Sequence, residues 1–172
     1  MKYEVGDLVS KPIVGICKIE HILYLDPQNE KNDKLYYLMK PIEDEKEKIY
    51  VPVVNSNSKL RLCMTREEAW DLIERIPEIP TAWINNEKMR EQKYKEAIKA
   101  NDPEALVAII KMIYQRKQKR LAQGKKCTAT DARYFQTAEN LLYTELGTAL
   151  GKSKKEVCKT IIDFINKSKQ DA

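Results

Sequence analysis

Residues 65–76 read TREEAWDLIERI, and their spacing decides the fold class. Thr65 and Glu68 stand three apart, the arrangement in which a hydroxyl and a carboxylate reciprocally satisfy backbone N–H groups at a helix start. Ala69, Leu72, Ile73 and Ile76 then recur at helical steps and form one apolar stripe. Pro77 and Pro80 close the helix, because a proline ring removes a donor and clashes with the preceding turn.

Upstream of this stretch the period is that of strands. KYEVGDLVS (residues 2–10), IVGICKIEHILYL (13–25), KLYYLMK (34–40) and EKIYVPVVN (47–55) are short runs rich in Val, Ile and Tyr. Turn signals separate them: Gly-Asp, Asp-Pro-Gln-Asn and Glu-Asp-Glu-Lys. Such spacing predicts a small, strongly bent sheet or open barrel. Pro52 falls within the last run and must sit at an edge or a bulge, since proline cannot donate to a ladder.

Downstream every segment reads as helix. A second helix is expected from about Trp83 to Ala100. Asn101-Asp102-Pro103 then supplies a cap and a proline suited to a first helical position. Leu106, Ile109, Ile110 and Ile113 stripe the third helix, which ends in the polar run QRKQKR. Thr128 and Asp131 cap a fourth, lined by Phe135, Ala138, Leu142, Leu146 and Leu150, and Gly151 breaks it. Ser153 and Glu156 cap a fifth, with Val157, Ile161, Phe164 and Ile165 inward. The expected organisation is α+β: a β module over residues 1–64 and an all-α module over 65–172, with no internal repeat.

Hydrophobic residues make up 42% of the 172 and charged residues 33%, enough for a core under a polar surface. No apolar run approaches the ~20 residues of a membrane span, and no export signal is legible, so the cytoplasm is the expected compartment. Net charge is +5. Residues 1–64 are balanced, whereas residues 81–126 carry 12 basic against 5 acidic side chains. A positive segment suits an anionic partner, nucleic acid above all, although a solvated helix face reads the same way.

The residue inventory argues against catalysis. Cys17, Cys63, Cys127 and Cys158 are far apart, and His21 is the only imidazole, so neither a zinc site nor a disulfide framework is expected. Cys17 and His21, four apart in a strand, would share a face but stand ~13 Å apart at ~3.3 Å per residue, too far to pair. Glu67/Glu68 and Asp44/Glu45 have structural explanations at a helix start and in a charged loop. With five glycines and no phosphate-loop motif, a nucleotide cradle is not expected. The chain reads as a non-enzyme without cofactor or metal.

The ordered set VGDLVSKPIVGICKIEHI, YYLMKP, IYVPV and KLRL resembles the polymerase-binding module of the CarD/CdnL family, which is shared with the transcription-repair coupling factor. PTAWI before a basic helix, NDPEALVAIIKMIYQRKQ and TATDARYFQTAENLLYTEL continue the likeness through nearly the whole chain. The resemblance implies a small Tudor-like β-barrel followed by a helical bundle. It also implies two partners: the β subunit of bacterial RNA polymerase, and promoter DNA near the upstream edge of the transcription bubble.

Carried over position by position, Trp83 matches a tryptophan that enters the minor groove as a wedge. An apolar blade can hold a base step unstacked at a cost of a few kcal/mol, offset by contacts to the distorted duplex. Lys88, Arg90, Lys93, Lys95 and Arg133 are the basic candidates around it for phosphate contacts, which position without reading sequence. The chain departs from the family by placing Ile84-Asn85-Asn86-Glu87 where two arginines usually stand.

Tyr37, Met39, Ile49, Tyr50 and Val51 match the strands expected to reach the polymerase, and Arg61 matches a recurrent arginine with a structural or interface role. About half of these side chains are expected to fill the core instead. Two readings follow: a sequence-tolerant minor-groove binder tethered to polymerase, or a polymerase-binding adaptor whose helices only pack. They differ in whether Trp83 is an exposed blade or a core anchor. A monomer is expected.

Overall fold

The structure is a computed structural model, and it describes residues 2–26, 28, 34–54, 59–82, 84 and 86–170. The chain divides into two compact units, Met1–Cys63 and Met64–Ala172. The first holds five antiparallel strands: β1 (Leu8–Lys11), β2 (Gly15–Tyr24), β3 (Leu35–Pro41), β4 (Ile49–Pro52) and β5 (Arg61–Leu62), in the order β4-β3-β2-β1-β5. The second holds α1 (Arg66–Arg75), α2 (Arg90–Lys99), α3 (Pro103–Ala122), α4 (Ala129–Leu150) and α5 (Lys154–Gln170). Single 3-10 turns lie at Ile76–Glu78 and Glu87–Met89. The fold class is α+β, as the sequence predicts.

The sheet unit packs a core of Tyr3, Val9, Cys17, Ile19, Tyr37, Met39, Val51 and Leu60. Tyr3 links the segment before β1 to both ends of this core. Its hydroxyl donates to the Leu60 carbonyl at 2.7 Å, and its backbone N–H donates to the Tyr37 hydroxyl at 3.3 Å. One irregularity resets the pattern. Ile19 faces Met39 but His21 faces Leu38, so Glu20 is an extra residue, a bulge. A one-residue insertion reverses the side-chain phase. Cys17 is therefore buried while His21 is exposed on the opposite face, which corrects the shared face expected of an uninterrupted strand.

Pro52 lies on β4, an outer strand of the sheet, as its chemistry requires. Of the turn expected at Asp26-Pro27-Gln28-Asn29, Gln28 N–H donates to Asp26 Oδ1 at 3.1 Å, while Pro27 and Asn29, like Asn55 at the end of the fourth run, lie outside the described residues.

In the helical unit the caps read from the sequence are in place. Thr65 and Glu68 form the capping box, Asp102 accepts from Glu104 N–H ahead of Pro103, and Thr128 accepts from Asp131 N–H. Ser153 and Glu156 exchange side-chain-to-backbone bonds at 3.2 and 3.3 Å. Gly151, at φ 67°, ends α4 in the left-handed conformation glycine favours. The helices converge on one apolar cluster from Ala69 to Ile161, against which Trp70 is half-buried under the Lys152 ammonium.

Two expectations are corrected. The second helix starts at Arg90, not near residue 83, because the Asn86 side chain accepts from Lys88 N–H and caps a separate 3-10 turn. On α4, Tyr134 is buried where the stripe had Phe135, which is half-buried.

Candidate functional site

The outer edge of β4 offers backbone groups that follow from its register. Val53 N–H donates to the Leu35 carbonyl at 2.8 Å, and Tyr37 faces Val51 and Met39 faces Ile49 in the same register. In an antiparallel ladder alternate residues exchange both bonds with the partner strand. Residues 49, 51 and 53 therefore bond to β3, while the N–H and C=O of Tyr50 and the C=O of Pro52 point away from the sheet. The N–H that proline lacks is one that would have faced outward. Pro52 thus costs the ladder nothing and limits how far a strand can be added along this edge.

The same register sorts the candidate contact residues. Tyr37, Met39 and Val51 are in the half that fills the core, at 2%, 0% and 6% exposure, and Ile49 packs against that core half-buried. Tyr50 projects from the opposite face and is 43% exposed. On that face its cross-strand neighbour Leu38 is buried, at 7% exposure, and Tyr36 and Leu23 one pair along are half-buried, so the surroundings of the Tyr50 ring are apolar. These three were missed in the sequence. Tyr36 and Tyr37 are adjacent aromatics, and only the register says which one points out. Arg61 is in β5, at the other end of the strand order from β4, with Nη1 donating to the Leu62 carbonyl at 3.3 Å.

In the helical unit Trp83 lies outside the described residues, so no environment is assigned to it. The described residues around it are anchored. Ala82 N–H donates to the Ala108 carbonyl at 3.3 Å, and Ala82 and Ile84 pack against the helical core. Lys88, Lys93 and Lys95 are exposed. Lys93 stands 3.5 Å from Glu96 and Lys95 3.8 Å from Glu91. Pairs this exposed are worth ~0–1 kcal/mol, so both ammoniums remain available to phosphate. Arg133 is 64% exposed on its side chain, pairs with Glu91 at 2.9 Å and lies over the Tyr134 ring.

Arg90 has a different setting, inside a closed ring of side chains from the 3-10 turn, α2, α3 and α4. Glu87 takes Arg90 in a two-point grip at 2.7 and 2.9 Å and also takes Arg116 Nη1 at 2.7 Å. Arg116 Nε faces Asp131 Oδ2 at 2.8 Å as an ion pair without hydrogen-bond alignment. Tyr94 closes the ring, donating to Asp131 Oδ1 at 2.8 Å and accepting from Arg90 at 3.3 Å. Hydrogen bonds from Arg90 and Arg116 hold the Glu87 carboxyl down to about 2, and burial pushes the Tyr94 phenol up to about 12. Arg90 is thus part of the packing of α2 as well as a surface cation.

The stretch after Arg116 also gains weight. The polar run that the sequence reading ends the third helix with is helical throughout, and Lys117, Lys119, Lys125 and Lys126 are exposed. Residues 105–130 contain no Asp or Glu, a signal readable in the sequence. No group of three His, Cys, Asp or Glu suited to a metal ion occurs among the described residues, and no described helix is long and apolar enough to cross a membrane.

Residues 3–64 match the CarD-like/TRCF RID domain family. This bears out the CarD-like resemblance over the sheet unit, and the domain type points to RNA polymerase as a partner and to transcription as the setting. No curated protein matches the chain.

Proposed function

We propose that this protein regulates transcription initiation without catalysing a reaction, acting in the cytoplasm as a monomer. Its sheet unit, a Tudor-like barrel, holds the β subunit of RNA polymerase along the β4 edge. Its helical bundle lies on promoter DNA near the upstream end of the bubble. There Trp83 enters the minor groove and stabilises opened DNA, with Lys88, Lys93, Lys95 and Arg133 neutralising phosphates.

The observation that carries this reading is the β4 edge within the CarD-like match. Tyr50 offers outward backbone groups and an exposed ring beside an apolar outer face. Strand addition along such an edge is a recurring way for two proteins to join. The acid-free basic stretch from 105 to 130 supports the nucleic-acid half.

The adaptor reading is kept because Arg90 and Arg133 are both engaged by carboxylates. Open-complex lifetime on a promoter fragment, with wild type, Trp83→Ala and Tyr50→Glu, separates the two. Loss of stabilisation in both variants, with Trp83→Ala still bound to polymerase, supports tether and wedge together. A folded Trp83→Ala protein with an unchanged lifetime removes the wedge and leaves the adaptor.

A further inference from the structure

Two guanidiniums beside the start of α2 converge on one carboxylate. Glu87 Oε1 lies 2.7 Å from Arg90 Nη2 and 2.7 Å from Arg116 Nη1, and Glu87 Oε2 accepts from Arg90 Nε at 2.9 Å. The arginines are held from behind. Arg90 reaches the Tyr94 hydroxyl and the Met112 sulfur, and Arg116 faces Asp131, which is itself 1% exposed. Their side chains are 14% and 23% exposed, whereas the Glu87 side chain between them is 67% exposed. The cations are fixed by the interior. The anion sits outside them and can leave by rotating its own side chain into water.

That arrangement has the donor geometry of a phosphate site. Guanidiniums present N–H groups in a planar fork that suits carboxylate and phosphate oxygens alike. With Glu87 in place, the formal charges of Arg90, Arg116, Asp131 and Glu87 cancel. With Glu87 swung out, the other three carry one net positive charge facing solvent. Displacement replaces one set of charge-assisted bonds to the two guanidiniums by another of the same kind, so a phosphodiester recovers what the departing carboxylate gives up. A polyanion adds the release of its condensed counterions, which a side-chain carboxylate lacks.

We propose that Arg90 and Arg116 form a phosphodiester site that Glu87 occupies in the free protein, and that a nucleic-acid backbone displaces Glu87 from it. The proposal rests on the DNA-binding reading above and adds Arg90 and Arg116 to its contacts. It also makes Glu87 a brake on affinity, acting four residues beyond Trp83.

The test is the affinity of the full chain for a labelled duplex across a series of salt concentrations. Glu87→Ala and Glu87→Gln are compared with Glu96→Ala, which removes the same charge from an exposed carboxylate facing Lys93 at 3.5 Å. Both Glu87 variants are expected to bind about tenfold tighter at low salt, with a log–log salt slope steeper by ~0.9, one added phosphate contact. Glu96→Ala should gain much less, and Glu87→Ala/Arg90→Gln should return to the wild-type affinity or below. Glu87 variants that are folded but no tighter than Glu96→Ala overturn the proposal.

If no form of the protein binds duplex, the DNA reading fails separately, and inorganic phosphate decides the site. Titrated into Glu87→Ala, phosphate should shift the Arg90 and Arg116 Nε–H resonances saturably, and far less in wild type. Unmoved arginine signals would rule the site out.

Discussion

In the sheet unit the core is held by apolar packing around two tyrosine-to-backbone bonds, and oily side chains reach the surface. In the helical unit a charged ring penetrates the packing, and the surface is ionic. Among the described residues, Val5, Ile13, Tyr24, Leu25, Ile42, Tyr50, Val54 and Leu62 are large exposed hydrophobics of the sheet unit. The described residues of the much longer helical unit include only Met89, Tyr114, Leu121 and Ile162 as large exposed hydrophobics. Scattered exposed apolar groups are ordinary, but such density on a small domain with an open strand edge is the composition of a protein-docking surface. An ionic surface over residues 81–126 is the composition of a surface for a polyanion. Within each unit, the proposed partner is the one whose chemistry the surface leaves unsatisfied.

The largest expected effect tests whether the charged ring supports the helical unit or merely decorates it. Tyr94 is fully buried, lies with its ring centroid 5.3 Å from that of Tyr134 at a tilt of 50°, and bonds to Asp131. Tyr94→Ala removes a buried aromatic and leaves the Asp131 Oδ1 acceptor without its hydroxyl partner. A loss of ~3–5 kcal/mol is expected. Urea unfolding followed by tryptophan emission measures it, because Trp70 and Trp83 both belong to this unit. A loss below about 1 kcal/mol would mean that the ring is peripheral.

Next in size is a close approach at the end of α4. Lys152 N–H donates to the Gly147 carbonyl at 2.9 Å as the chain folds back past Gly151. A Cβ on Gly147 would meet the Lys152 carbonyl oxygen far inside contact distance, and the obstacle is backbone, which cannot swing away. Gly147→Ala is expected to cost ~1–3 kcal/mol in the same unfolding experiment, despite alanine's better helix propensity. A stabilised variant would refute the return path of the chain.

These two sites also mark what the sequence could and could not yield. Helix caps were legible because their chemistry is local: Thr65 with Glu68, Asp102 before Pro103, Ser153 with Glu156. The charged ring was not, since it joins Glu87 to Arg116 and Tyr94 to Asp131 across three helices, and spacing carries no trace of such a meeting. In the sheet, the strands were readable as apolar runs and alternation put Tyr37 with Met39 and Ile49 with Val51, but which face turns inward was not legible. The bulge at Glu20 reverses the phase of β2, and a one-residue ambiguity at Tyr36-Tyr37 decides which tyrosine is core. Basic residues could be counted in advance. Which of them a carboxylate already holds required the fold.

A smaller effect, of opposite sign, is expected in the sheet unit. Ile13, at the tip between β1 and β2, has φ 72° and is 57% exposed. A left-handed conformation costs an L-residue ~1–2 kcal/mol, and a branched side chain gains little there from packing. Ile13→Gly should stabilise the unit by about 0.5–1 kcal/mol, after glycine's greater freedom in the unfolded chain is counted. The fully buried Cys17 reports it, since burial pushes its thiol up to about 11 and only an opened sheet exposes it to a thiol reagent. In a chain with the other three cysteines replaced, labelling should slow about threefold to fivefold. Faster labelling would show that the isoleucine packs at that tip.

The smallest expected change in stability is at Pro52, and it bears most directly on the contrast between the units. If the missing N–H faces outward, Pro52→Val breaks no bond to β3. The stiffness lost from the unfolded chain is then partly offset by valine's better fit to a strand, leaving stability within about 0.5 kcal/mol of wild type. What changes is the edge. A new outward donor follows Tyr50 and lengthens the stretch along which another strand can pair. Sedimentation at rising concentration should therefore show more self-association in Pro52→Val than in wild type, and Tyr50→Glu in the same background should reverse it. Stability lost without any gain in association would place the proline's ring, rather than its absent donor, at the centre of its role. The β4 edge would then be closed by packing instead of by chemistry.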